Sequence, residues 1–80
     1  MKYIYLLESL SHTEKRYIGK TTDLQNRLKE HNAGKSPHTS KFIPWRIVVA
    51  IRFSDDQNAD AFESYLKSGS GHAFANRHFW

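Results

Sequence analysis

Ala59, Phe62, Glu63 and Leu66 stand at i, i+3, i+4 and i+7, the spacing of one helix face. Three of the four are apolar, so this face turns toward a core, and Glu63 lies in the same stripe. An inward carboxylate costs several kcal/mol unless something pairs with it. Either Glu63 lies at the stripe's edge and reaches solvent, as charged residues there commonly do, or it serves a cation, a metal ion or a reaction. Earlier in the chain, Arg27 and His31 stand at i, i+4 and share a helix face. A guanidinium can grip a phosphate through two parallel hydrogen bonds, and an imidazole can move a proton near neutral pH. Tyr5 and Tyr17 fall in two expected strands and can place two phenols over one site. Activated water, a carboxylate for a hard cation and a cationic clamp are what phosphoryl chemistry requires. The structural alternative is that the tyrosines are core aromatics and that Arg27 and His31 flank an ordinary polar helix beside Lys29 and Glu30.

These residues need a scaffold. Lys2–Glu8 is rich in Tyr, Ile and Leu and reads as a strand. Ser9–Glu14 reads as a turn, and Lys15–Gly19 as a second strand stopped by Gly19, the two forming an antiparallel hairpin. A capping box, Thr22 to Gln25, opens the first helix, with Asp23 favouring its positive end. Leu24 and Leu28 give its inward stripe, Arg27 and His31 its edges, and Asn32-Ala33-Gly34 its stop. Lys35–Pro44 is a polar, basic loop. Trp45–Phe53 is continuously apolar in its middle, which predicts a central strand covered on both faces. Ser54 to Gln57 forms a second capping box, and the helix it opens runs to about Lys67. Ser68-Gly69-Ser70-Gly71 ends that helix, and His72–Trp80 can hold a short one packed through Phe74, Phe79 or Trp80. The expected fold is α/β (an α+β sandwich): a small antiparallel or mixed three-stranded sheet flanked by helices, in the order β-β-α-β-α-(α).

Eighty residues without cysteine predict one domain, 1–80, with neither disulfides nor thiolate metal sites. Five Phe, four Tyr and two Trp must supply much of the core. No apolar run approaches a membrane span, and a charge at Glu8 comes too early for a secretory segment. These features point to a soluble intracellular protein of the cytoplasm with no membrane association. The net charge is +4. Between Glu14 and Lys41, Lys15, Arg16, Lys20, Arg27, Lys29, Lys35 and Lys41 face only Glu14, Asp23 and Glu30, whereas Asp55, Asp56 and Asp60 cluster later. A positive face and a separate acidic end follow. The histidines show no metal-ligand spacing, which argues against zinc.

Tyr3-Ile4-Tyr5, then Tyr17-Ile18-Gly19-Lys20 after eleven intervening residues, Arg27 ten residues past Tyr17, and a helix-borne Glu63 after the third strand resemble the GIY-YIG endonuclease domain. The resemblance covers nearly the whole chain. It is closest to small stand-alone bacterial members similar to the N-terminal nuclease domain of the excinuclease C subunit, and Tyr65–Gly71 matches a segment common in them. Tyr3 replaces the first glycine of the motif, a change a strand tolerates.

The resemblance implies a metal-dependent DNA endonuclease, acting by analogy on branched, flapped or damaged DNA in repair or recombination. It implies Tyr5, Tyr17, Arg27, His31 and Glu63 as catalytic residues, with Glu63 holding Mg²⁺ or Mn²⁺. One tyrosine orients or deprotonates water, and the sequence leaves open which. Lys20, Arg27 and the metal are the cations that can lower a phenol's pKa. DNA contacts are expected along the backbone, with little sequence preference, from Gly19, Lys20, Lys35, His38, Lys41, Lys67, Ser68, Ser70, His72 and Asn76. Gly19 either admits a phosphate or ends its strand. Ser68–His72 is either a nest of backbone amides or a flexible stop. Asn76 is the one candidate for the family asparagine. The alternative is a non-catalytic nucleic-acid-binding module with the same fold.

Overall fold

The computed structural model describes residues 1–80. Strands β1 (Lys2–Ser9) and β2 (Arg16–Thr21) form the expected antiparallel hairpin, with Tyr5 opposite Gly19 and Leu7 opposite Tyr17. Helix α1 (Leu24–Asn32), a 3₁₀ turn (Ser40–Phe42), strand β3 (Trp45–Phe53), helix α2 (Asp56–Leu66) and helix α3 (Gly69–His78) follow. The sheet order is β2-β1-β3, antiparallel throughout.

The central strand is therefore β1, not the more apolar β3. Ile4, Leu6 and Leu7 are fully buried and Tyr5 nearly so, whereas β3 lies at an edge with Arg46, Ala50 and Arg52 exposed. An uninterrupted apolar run reports cover on both faces, which β3 does receive from α1 and α2. It does not report a second hydrogen-bonded neighbour. Alternation along β1 divides the core. Ile4 and Leu6 pack with Ala59, Leu66 and Ala75 on the α2–α3 face. Tyr5 and Leu7 pack with Trp45, Tyr17, Leu24 and Leu28 on the α1 face.

The helix starts lie one residue later than the capping boxes predict. Asp23, not Thr22, caps α1, its carboxylate accepting from the Asn26 amide at 3.1 Å. Asp55, not Ser54, caps α2, accepting from the Gln57 and Asn58 amides. An ionised carboxylate is at least as good a cap as a hydroxyl and adds charge at the positive helix end. The α1 stop is as expected, with Ala33 at the C-cap and Gly34 at φ 77°. Its C-terminus is pinned to β3: the Asn32 side chain accepts from the Trp45 amide at 2.6 Å and donates to the Trp45 carbonyl at 3.1 Å.

Two glycines act differently from expectation. Strand β2 runs through Gly19 to Thr21, so Gly19 does not stop it. Ser68–Gly71 is a tight corner from which α3 starts at once. The Ser68 hydroxyl donates to the Tyr65 carbonyl at 2.6 Å and accepts from the Gly71 amide at 3.2 Å. Gly71 is buried, and a Cβ there would overlap the Tyr65 carbonyl. Phe74, Phe79 and Trp80 pack on the core through α3 and its end. Backbone cannot yield as a flexible side chain can, so Gly71→Ala is expected to destabilise the chain by about 3 kcal/mol. Thermal melting should show a Tm lower by roughly 10 °C or more; an unchanged Tm would mean that α3 is not fixed against α2 in this way.

Candidate active site

Tyr5 lies at the centre of the α1 face. Its hydroxyl is 2.9 Å from His31 Nε2, and His31 Nδ1 is 2.8 Å from Thr39 Oγ1. The Thr39 hydroxyl donates onward to the Ser36 carbonyl at 3.4 Å, and the Trp45 indole donates to the Thr39 carbonyl at 2.9 Å. This order fixes the tautomer. A hydroxyl that donates to Ser36 accepts from His31 Nδ1–H, which leaves Nε2 to accept from Tyr5. Charge states agree with it. Burial, and then the nearby Arg27 guanidinium, lower the His31 pKa to about 4, so the ring is neutral. Burial raises the Tyr5 phenol above its ordinary value, Arg27 partly offsets this, and the charges of Tyr17 and Glu63 raise it further. Tyr5 therefore keeps its proton and donates.

Gly19 makes room for this arrangement. A Cβ there would lie 2.5 Å from the Tyr5 hydroxyl oxygen and 2.9 Å from a Tyr17 ring carbon. The missing side chain admits the Tyr5 phenol, a reason different from either expected for Gly19. Tyr17 is half-buried, its ring 6.3 Å from Tyr5 and 5.0 Å from His31 between centroids. No protein group hydrogen-bonds its hydroxyl. Arg27 Nη1 donates to Glu30 at 2.9 Å, and that pairing above all raises its pKa and keeps it charged.

Glu63 comes from the opposite face of the sheet. Its side chain is 14% exposed and lies 3.5 Å from Lys20 Nζ and 3.3 Å from Lys67 Nζ. It is thus the stripe-edge residue of the simpler reading, but paired rather than free. Lys20 is held more closely by Asp60, at 3.1 Å, and Asp60 also accepts from Lys2 at 3.0 Å. The acidic end of α2 consequently neutralises Lys20, one of the expected DNA contacts.

A pocket of about 340 Å³ opens between β2 and α3, lined by Tyr17, Lys67, His72 and Asn76 together with Arg16, Ile18, Ala75 and Trp80. Four residues singled out in the sequence thus meet there. Ser68 caps α3 through its hydroxyl, and the His72 amide donates to the Ser68 carbonyl, so much of the expected nest is already engaged; Ser70 is exposed. Lys35, His38 and Lys41 are exposed on the loop whose buried Ser36 and Thr39 reach His31. They do not line the pocket. Thr39 was expected with its loop as a DNA-backbone contact and is instead buried against His31; Arg16 and Trp80 were read only as charge and as packing, and only the fold brings them together.

His31 is fully buried and Tyr5 is 2% exposed, so neither presents a surface to a ligand; Tyr17, Arg27, Glu63 and Lys67 do. No group of three or more His, Cys, Asp or Glu side chains converges to cage a metal. A single carboxylate, Glu63, does suit a hard cation that keeps most of its water.

The GIY-YIG catalytic domain family matches residues 1–76. Among similar proteins, a UPF0213 protein of Streptococcus pneumoniae serotype 4 is 36% identical over 66 residues, 81% of this chain and 65% of its own length. A UPF0213 protein of Lactococcus lactis subsp. cremoris is 32% identical over the same shares. Another, from Streptococcus pyogenes serotype M3, is 41% identical over 51 residues, 64% of this chain and 50% of its own. The chain thus spans about two thirds or less of the length of these relatives.

The buried neutral histidine has a consequence for stability. With its folded pKa lowered to about 4, the unfolded chain binds one more proton between that value and about 6.5. Stability present above pH 6.5 is expected to be lost as pH falls toward 4, by about 3 kcal/mol in all. Urea midpoints measured from pH 7 to pH 4.5 should fall, and His31→Gln should flatten the slope. An equal slope in the variant would show that His31 does not carry it.

Proposed function

The chain belongs to the GIY-YIG family, and from that premise we propose that it is a metal-dependent endonuclease hydrolysing phosphodiester bonds in DNA. The observation that carries this reading is the setting of the Tyr5 hydroxyl, on which Arg27 from α1, Tyr17 from β2 and Glu63 from α2 all act electrostatically. The Tyr17 ring lies 6.3 Å from that of Tyr5 between centroids, and Lys67 both pairs with Glu63 and lines the pocket beside Tyr17.

Each group has a task in this reading. Glu63 would hold Mg²⁺ or Mn²⁺ by one carboxylate oxygen. When bound, that ion supplies charge neutralisation on the phosphate and assistance to the leaving oxygen. Lys20 stays with Asp60 when Glu63 turns to a cation, so no ammonium is stranded. Lys67, more than half exposed, is free to leave Glu63 for a phosphate oxygen. Arg27, kept charged by Glu30, clamps the scissile phosphate. Tyr17, with an unengaged hydroxyl, orients the attacking water. Tyr5 and His31 act behind it as positioning residues, their rings packed against Tyr17 and their hydrogen bonds closed. Lys35, His38 and Lys41 supply backbone contacts outside the cleavage site.

Cleavage of branched, flapped, single-stranded and duplex DNA with Mg²⁺ or Mn²⁺ tests this reading. Wild-type cutting should vanish in Glu63→Gln while the fold and DNA affinity remain; equal cutting by the variant would remove the metal role. Arg27→Ala should slow the chemical step by about 10²–10³, and an unchanged rate would place Arg27 off the phosphate. Lys35→Ala and Lys41→Ala should each weaken DNA binding and reduce the slope of log K against log salt by about one. Salt-sensitive binding without cutting by wild type would favour the binding module.

A further inference from the structure

The pocket beside β2 holds more than a phosphate needs. Lys67 and His72 can meet an anion. Asn76 carries a donor and an acceptor in one plane, the means of reading a base edge. The Arg16 guanidinium lies 4.6 Å from the Trp80 ring centroid, stacked on it. A guanidinium so held is planar and pre-ordered, and its free face is a surface on which a base stacks. The volume, about 340 Å³, falls in the range of small-ligand sites. The pocket joins the candidate active site at two points, the Tyr17 ring that lines it and the Lys67–Glu63 pair at its rim.

We infer that this pocket receives one unpaired nucleotide adjacent to the bond that is cut, its base on Arg16 and Asn76 and its phosphate on Lys67 and His72. The inference rests on the endonuclease reading for the position of the cut, and it adds the residues that hold the unpaired base. A base seated between Arg16 and Asn76 must leave its duplex stack, and one already unpaired does so at least cost. DNA with an unpaired nucleotide beside the scissile bond is therefore preferred over continuous duplex, with little dependence on which base it is, because stacking accepts any of them. Arg16 and Trp80 are specificity-determining in this account, although neither belongs to the metal-holding or water-activating set.

The experiment is a binding titration with metal withheld by EDTA. Its probe is a hairpin DNA with a single-stranded arm carrying 2-aminopurine at the first unpaired nucleotide, compared with the same 2-aminopurine fully paired. A fluorescein on the far end reports total binding. The wild type should change 2-aminopurine emission by about twofold or more as the base stacks, in the unpaired substrate only. Deoxyadenosine monophosphate should reverse the change, and inorganic phosphate at the same concentration should not. Arg16→Gln and Asn76→Ala, both at exposed positions, should lose the emission change and bind the unpaired arm about tenfold more weakly. An unaltered change in both variants, an equal change for the paired probe, or reversal by phosphate alone would overturn the inference. Because binding is read without metal, the two readings fail separately. An emission change with no cutting once Mg²⁺ is added keeps the pocket and removes the nuclease; cutting with no emission change does the reverse.

Discussion

A phenol buried in the middle of a three-stranded sheet must have its hydroxyl satisfied, or the burial costs more than the ring's packing returns. Tyr5 meets that condition through His31, and much of the α1 face follows from it. His31 must be neutral with Nε2 free, so Nδ1 needs an acceptor. Thr39 supplies one, and Thr39 is held in turn by the Ser36 carbonyl and the Trp45 indole. A loop that would otherwise be mobile polar chain is thereby latched to the core. Helix α1 is fixed at the same end by the two-way bond between Asn32 and Trp45. The register that sets Gly19 opposite Tyr5 leaves the phenol the space it occupies.

The site is built across the two faces of the sheet. Tyr17 and Arg27 belong to the α1 side and Glu63 to the α2 side, and in the proposed function they act together at the open edge of β2. A three-stranded sheet with β2 outermost can offer such an edge; one with β3 in the middle and β2 elsewhere would have separated these groups. The salt bridges tune this meeting. Asp60 engages Lys20 and Lys2, Glu30 engages Arg27 and Glu63 engages Lys67, so each of these cations is held by a carboxylate until a phosphate competes for it.

Much of this was legible in the chain. Helical spacing located Glu63 and paired Arg27 with His31, the hairpin followed from a short connection, and the element order was right through the third helix. Three features were not legible, for physical reasons. An apolar run such as Ile47–Ile51 records cover by helices and is silent on hydrogen-bonded neighbours, so β3 was expected in the middle. Two possible caps stand side by side at each helix start, and the carboxylates of Asp23 and Asp55 prevail over the hydroxyls before them. His31 was read as a helix edge, yet it is sealed, because its partner Thr39 comes from a loop with no periodic signal. That last difference bears on the proposed chemistry: Tyr5 and His31, expected as catalytic groups, become there the support of the residue in front of them.

The sequence left open which tyrosine handles water, and the proposed function gives that task to the more exposed Tyr17. The most direct measurement is the single-turnover cleavage rate of Tyr17→Phe and Tyr5→Phe on one DNA substrate, with affinity measured in parallel. The account predicts that Tyr17→Phe loses about 10²–10⁴ in the chemical step at unchanged affinity, while Tyr5→Phe loses less and also loses thermal stability. A Tyr17→Phe variant that cuts at the wild-type rate would contradict it.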